Sequence, residues 1–294
     1  MTTVAEAFEI CRKRLEITQT EQDDASRRQQ EVRGHVQAAF DVDRDFLTGS
    51  YARHTKTKPL KDVDIFFVFG PGDQGRCSES PAKTLDAVQE CLRARYDNDQ
   101  VERGRRSIGV TFEKSSPTQA DDGKVFGVDV VPASPCGDHY EIPDEVLDDW
   151  IETNPEIHKT KATAKNAELS KSWVPLVKMM KGWNAVAGKP IKPSFLIEVM
   201  ALELVEPPFN SYPDELRRLF AAMADRIDDV WQDPAGLGPA VSDQMTPAMC
   251  DAARAALVDA ERAAARAFRA EAHGKNGEAI AIWRRLLGPY FPTR

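Results

Sequence analysis

Two apolar runs in this chain carry aspartates where a buried strand has no ordinary use for them. The first is Lys61 to Phe69, KDVDIFFVF, with Asp62 and Asp64; the second is Phe126 to Ala133, FGVDVVPA, with Asp129. Runs this short and this rich in β-branched and aromatic residues predict buried strands. Residues two apart in a strand point to the same face, so Asp62 and Asp64 aim both carboxylates at one point. A neighbouring strand lies only ~4.8 Å away, close enough for Asp129 to bring a third. Carboxylates buried without a partner are costly, so these three either cap strand ends or hold cations. The second reading places two divalent ions ~3.5–4 Å apart, where they activate a hydroxyl and neutralise a departing pyrophosphate. Mg²⁺ is the expected ion, with Mn²⁺ as a substitute, and the reaction it implies is nucleotidyl transfer.

Other residues fit the same chemistry. Gly49-Ser50 precedes Asp62 by eleven intervening residues. Glycine permits close backbone approach, and backbone amides with a serine hydroxyl can hold the β- and γ-phosphates. Between Ser50 and Asp62 stand Arg53, His54, Lys56, Lys58 and Lys61; they read either as a solvated basic loop or as a positive rim for a triphosphate. Lys181 lies in VKMMKGWN on an apolar-striped helix, as does Lys178. Each can snorkel to solvent, but Lys181 suits a clamp on the departing pyrophosphate. Ser194 and Phe195, in KPSFLIE, offer a hydroxyl and an aromatic face, Phe195 reading equally well as core or as a surface for base stacking.

Along the chain, residues 4–40 read as one or two charged helices, DRDFLTGS as a short strand, and residues 81–96 as a helix. Alternation predicts a further strand at SIGVTF. From about residue 144 the pattern reads as helical to the end, broken by the long loop WQDPAGLGPAVSD. The expected architecture is therefore α/β (α+β), with a mixed-sheet lobe over 1–143 and a helical lobe over 144–294.

Composition narrows the function classes. With 294 residues the chain can bury a substantial core. No apolar run approaches the ~18 residues of a membrane span, and the N-terminus lacks the pattern of a secretory signal. Five scattered cysteines, never C-x-x-C, suit a reducing cytoplasm. A formal net charge of −8 argues against a long nucleic-acid template. Cys136 and His139 resemble half a zinc site, with no second pair to complete it. Gly70, Gly72 and Gly75 formally match G-x-G-x-x-G after a strand. Pro71 and a polar stretch through Ser80 delay the helix that a dinucleotide site requires, and Glu90 falls inside it rather than at a strand end.

GSYARHTKTKPLKDVDIFFV, VDVVPA, TNPEIHKTKATAKN, LVKMMKGWN, PSFLIEVMALE and the closing EAIAIWRRLLGPYFP, in that order, resemble the bacterial CD-NTases. These are SMODS-type cyclic-oligonucleotide synthases of anti-phage (CBASS) signalling, related to animal cyclic GMP-AMP synthase and oligoadenylate synthetase. The resemblance implies a polymerase-β-like nucleotidyltransferase lobe with a helical lobe completing the nucleotide cleft. It implies that Asp62, Asp64 and Asp129 are metal ligands, that Gly49 and Ser50 form the phosphate-binding turn, and that Lys181 contacts the triphosphate. Ser194 and Phe195 fall where relatives place a phosphate contact and a base-stacking aromatic, with phenylalanine replacing the tyrosine of the animal enzymes. The zinc-binding insertion of the animal DNA sensor is absent. The implied substrates are nucleoside triphosphates including ATP, the implied product is a cyclic di- or trinucleotide, and a regulatory protein partner is compatible. The alternative is a nucleotidyltransferase that makes linear oligonucleotides or modifies a macromolecule such as tRNA or protein.

Overall fold

A computed structural model describes residues 2–112 and 126–293. The chain divides into two compact units. One comprises Ile17–Lys159 and Ala235–Gly238; the other comprises Met1–Glu16, Thr160–Pro234 and Pro239–Arg294.

Two helices open the chain, α1 (Val4–Arg14) and α2 (Gln19–Ala39). Each begins with a reciprocal cap: Thr3 with Glu6, and Thr18 with Glu21. Helix α1 belongs to the helical unit, because Phe8 packs edge-on against Trp283 and Phe291, with centroids 5.0 and 4.9 Å away. It does so although it precedes the sheet unit in sequence. Asp144 to Lys159 fall in the sheet unit.

The sheet unit follows with β1 (Val42–Thr48), the single turn α3 (Gly49–Ala52), β2 (Asp62–Phe69), α4 (Pro81–Arg93), β3 (Val101–Arg103), β4 (Ile108–Phe112) and β5 (Phe126–Cys136). Strand order is β1-β2-β5-β4-β3, with β2 and β5 parallel and the other neighbours antiparallel. Two more strands, β6 (His139–Asp144) and β7 (Asp149–Thr153), form a hairpin on the far end of β5. Strand β7 occupies sequence expected to be helical. Its alternation is only five residues long, and its turn is fixed by a distant contact: buried Asp144 accepts from Arg105 and Arg106 at 2.7 Å each and from the amides of Val146 and Leu147.

Strand β2 shows why its sequence is nearly all apolar. Val63, Ile65, Phe67 and Phe69 join the core shared with Val32, Val36, Leu85 and Val88 of α2 and α4. Phe66 and Val68 point the other way, into a smaller cluster with Tyr140, Ile142 and Ile151 of the hairpin. Asp62 and Asp64 share the face of Phe66 and Val68 but precede the part that the hairpin covers.

The helical unit is built from the end of α5 (Pro155–Glu168) with α6 (Trp173–Val186), α7 (Ser194–Leu204), α8 (Tyr212–Arg226), α9 (Pro247–Ala272) and α10 (Asn276–Leu287). Trp173, Leu176, Met180, Leu196, Met200, Phe220 and Trp283 are all buried in its core. Among the described residues no helix is long and apolar enough to cross a membrane.

Candidate active site

The parallel register of β2 and β5 sets Asp64 directly opposite Asp129, with Asp62 opposite Gly127. Register partners in adjacent strands face the same side. All three aspartates therefore stand on one face, Asp62 exposed and the other two half-buried. Next across the sheet, Gly109 of β4 pairs with Asp129, and beyond it Glu102 of β3 pairs with Gly109. A Cβ at position 109 would come within 2.8 Å of Asp129 Oδ1, so glycine leaves the room that this carboxylate occupies. Sequence reading missed Gly109. Its signal was a glycine inside an otherwise alternating strand, which marks a close approach.

On the other side of β2, Thr48 of β1 pairs with Asp64 and leads into the turn at Gly49. Gly49 has φ +63°, and a Cβ there would lie 1.7 Å from Asp64 Oδ2. Ser50 begins the loop return, its carbonyl accepting from the amides of Thr55 and Lys56. The basic residues that follow have structural positions, as Arg53, Lys56 and Lys58 illustrate. Arg53 is buried and its charge favours the ionised form of Asp64, Lys56 lies over the Tyr51 ring at 4.1 Å, and Lys58 pairs with Glu21 at 3.7 Å. A freely solvated basic loop does not describe this segment.

Burial and mutual repulsion dominate the electrostatics of the carboxylates. Burial first, then Asp62 and Asp129, push the Asp64 carboxyl up to about 7, against an opposing effect of Arg53. Burial, Asp62 and Glu102 push Asp129 up to about 6. Among the described residues no three His, Cys, Asp or Glu side chains form a ready-made metal cage. Like-charged carboxylates with raised proton affinity are nevertheless what a divalent cation compensates, and hard oxygen ligands suit Mg²⁺ or Mn²⁺.

A pH dependence follows. Asp64 and Asp129 have folded values above the ordinary 3.8, so the folded state holds more protons than the unfolded state between about pH 4 and pH 7. Their contribution to stability therefore falls as pH rises through that window. In protein stripped of divalent ions, the stability advantage of Asp64→Asn over wild type is expected to grow from about pH 5 to pH 8. Added Mg²⁺ should raise the wild-type melting temperature at the upper end. Melting curves of both proteins check this, and an advantage that shrinks with pH would contradict it.

The remaining predicted residues lie in the helical unit. Lys181 is 9% exposed, and its Nζ donates to Glu198 Oε1 at 2.7 Å. Lys178, fully buried, donates to Glu16 Oε2 at 2.8 Å. Neither lysine snorkels. Ser194 is exposed at the first turn of α7, while Phe195 is half-buried against the helical core.

Two weaker motifs resolve as structure. His139 pairs with Cys136 across the β5–β6 turn, and its two ring nitrogens face Asp138 and Glu152 at 3.1 Å each, which occupies them without a metal. In GPGDQG, Gly72 donates to Asp41, a 3₁₀ turn spans Gln74–Ser78, and α4 starts only at Pro81.

Comparison with known proteins bears on this arrangement. Residues 1–166 match the family described as Second Messenger Oligonucleotide or Dinucleotide Synthetase domain, abbreviated SMODS. A probable cyclic nucleotide synthase of Bacillus cereus strain VD146 is 25% identical over 277 residues, covering 83% of this chain and 81% of that protein. The cyclic AMP-AMP-AMP synthase of an Acinetobacter species is 27% identical over 270 residues, covering 84% and 72%. Among solved structures, CdnC of E. coli MS115-1 with ATP superposes with a TM-score of 0.72 at 18% identity, covering 98% of both chains. The same protein has been solved in a complex with HORMA-deltaN, with a TM-score of 0.70.

Proposed function

The chain belongs to the second messenger oligonucleotide or dinucleotide synthetase family, and from that membership we propose how its residues divide the work of a nucleotidyltransferase. The observation that carries the reading is the register of β2 and β5, which gathers Asp62, Asp64 and Asp129 on one sheet face. The enzyme joins nucleoside triphosphates into a cyclic oligonucleotide and releases pyrophosphate.

Asp62, Asp64 and Asp129 would hold divalent ions, Mg²⁺ with Mn²⁺ as a substitute, whose charge acidifies the attacking hydroxyl and offsets that of the departing pyrophosphate. Asp129 would help deprotonate the attacking ribose hydroxyl by holding the ion whose charge acidifies it. Gly49 and Ser50 bind the β- and γ-phosphates through backbone amides and the hydroxyl. Lys181 and Ser194 contact the polyphosphate, which Lys181 continues to hold as it leaves. Phe195 offers an aromatic face on which the base stacks. ATP is among the substrates, a reading supported by the ATP-bound relative, and a regulatory protein partner by that relative's complex.

The product is expected to be cyclic and made without a template. Purified protein given Mg²⁺ and all four labelled triphosphates should yield a product that resists alkaline phosphatase and is cut by a phosphodiesterase of matching linkage specificity, and pretreating the protein with nuclease should leave the yield unchanged. A ladder of phosphatase-sensitive oligomers would move the enzyme to linear synthesis. Label transferred only to added tRNA or protein would replace the reading with macromolecule modification.

A further inference from the structure

Glu198 is almost wholly buried, at 1% exposed, within the most apolar stretch of α7. Leu196, Ile197, Val199, Met200 and Ala201 around it are all in the helical core. Its carboxylate receives the Nζ of Lys181 from α6 at 2.7 Å. Fold stability does not account for the pair, because well-packed apolar residues of similar volume are commonly at least as stable as a buried ion pair. What a buried carboxylate does supply is a fixed address for an ammonium on a flexible four-carbon stem.

Spacing along α7 adds a second observation. Glu198 follows Ser194 by four residues and Phe195 by three, so the three project from one stripe of the helix. The element that presents the candidate phosphate and base contacts thus also grips the candidate phosphate clamp. Lys178, one turn earlier on α6, provides an internal comparison. It too is buried and paired, but with Glu16, whose side chain is 52% exposed and lies outside α7.

We propose that Glu198 is a positioning residue: it orients the Lys181 ammonium for contact with the polyphosphate of the substrate. An ammonium has three N–H donors, one of which goes to Glu198, and fixing that one restricts where the others point. The inference rests on the assignment of Lys181 as a phosphate contact.

The experiment is steady-state kinetics with ATP on Lys181→Met, Glu198→Gln, the double variant and Lys178→Met, with melting temperatures measured in parallel. Lys181→Met is expected to raise KM by roughly tenfold, the scale of one charge-assisted contact. Glu198→Gln should raise KM by a similar factor with kcat within about twofold, the signature of binding lost equally in ground and transition states. In the Lys181→Met background, Glu198→Gln should change KM no further, because its effect passes through the lysine. Lys178→Met should leave KM alone, because its partner Glu16 is half exposed and lies outside α7. Glu198→Asp keeps the charge but withdraws it by one methylene, and should raise KM even if the glutamine variant folds poorly. Wild-type KM in Glu198→Gln and Glu198→Asp beside an impaired Lys181→Met would overturn the proposal while sparing the lysine. Additive KM effects in the double variant would assign Glu198 a structural role only. Wild-type KM in Lys181→Met would overturn the lysine assignment and this inference together.

Discussion

Asparagine at position 64 is expected to slow pyrophosphate release by at least about 10²–10³-fold, the scale of removing one preorganised electrostatic group from an active site. The same substitution should stabilise the protein when divalent ions are withheld. Both effects have one source. Asp64 is half-buried opposite Asp129, shares a face with Asp62, and has its carboxyl pushed up to about 7 by burial and by those two charges. A neutral amide of equal size removes the repulsion and cannot neutralise a cation. A residue serving the fold alone would show the reverse, losing stability and keeping turnover. The check is pyrophosphate release with saturating triphosphate beside melting curves in chelator. Near-normal turnover in folded Asp64→Asn would remove the carboxylate site from the proposed mechanism.

The placement of the aspartates was legible because it rests on two short-range regularities. A period of two puts Asp62 and Asp64 on one face, and two all-apolar runs in one small lobe have few alternatives to lying side by side. The resemblance of the ordered motifs to CD-NTases carried the fold, including the split between a mixed sheet and helices. What escaped reading depends on contacts far apart in sequence. Strand β7 is five residues long and is held by β6 and by the turn around Asp144, whose arginine partners come from nearly forty residues earlier. Helix α1 has an ordinary amphipathic pattern that does not say which core receives it; Phe8 finds Trp283 and Phe291 at the opposite end of the chain.

Within the site, the same division holds. Arg53 looked like one more basic loop residue, yet it is buried and offsets part of the Asp64 repulsion. Lys181 looked as able to reach solvent as Lys178, because a helical stripe does not show what stands opposite a lysine. Glu198 was hidden in PSFLIEVMALE as one of two acids in an apolar helix, a pattern as compatible with a helix edge as with a buried partner. Such pairings are decided by helix packing, which the local sequence does not encode.

Alanine at position 49 is expected to be the most damaging glycine substitution, and it separates the phosphate turn from the rest of the loop. Gly49 stands at φ +63°, a conformation that costs an ordinary L-residue roughly 1–2 kcal/mol. Its new Cβ would lie 1.7 Å from Asp64 Oδ2 and 2.4 Å from Cγ, so either the turn opens or the carboxylate is driven from its place. A displacement of about 1 Å in a reacting group can cost on the order of 10²-fold in rate, and this substitution disturbs the turn and Asp64 together. Gly109→Ala should act more mildly, since its Cβ is crowded by the far end of the Asp129 side chain, at 2.8 Å, and meets the Glu102 carbonyl at an ordinary 3.7 Å. Gly75→Ala should be near wild type, because nothing lies within 4 Å of its Cβ. The expected order of lost pyrophosphate release is Gly49→Ala, then Gly109→Ala, then Gly75→Ala, measured on folded protein at saturating triphosphate. If Gly49→Ala turns over like Gly75→Ala, the backbone at position 49 is not part of the catalytic geometry, and the phosphate turn must be sought elsewhere in the chain.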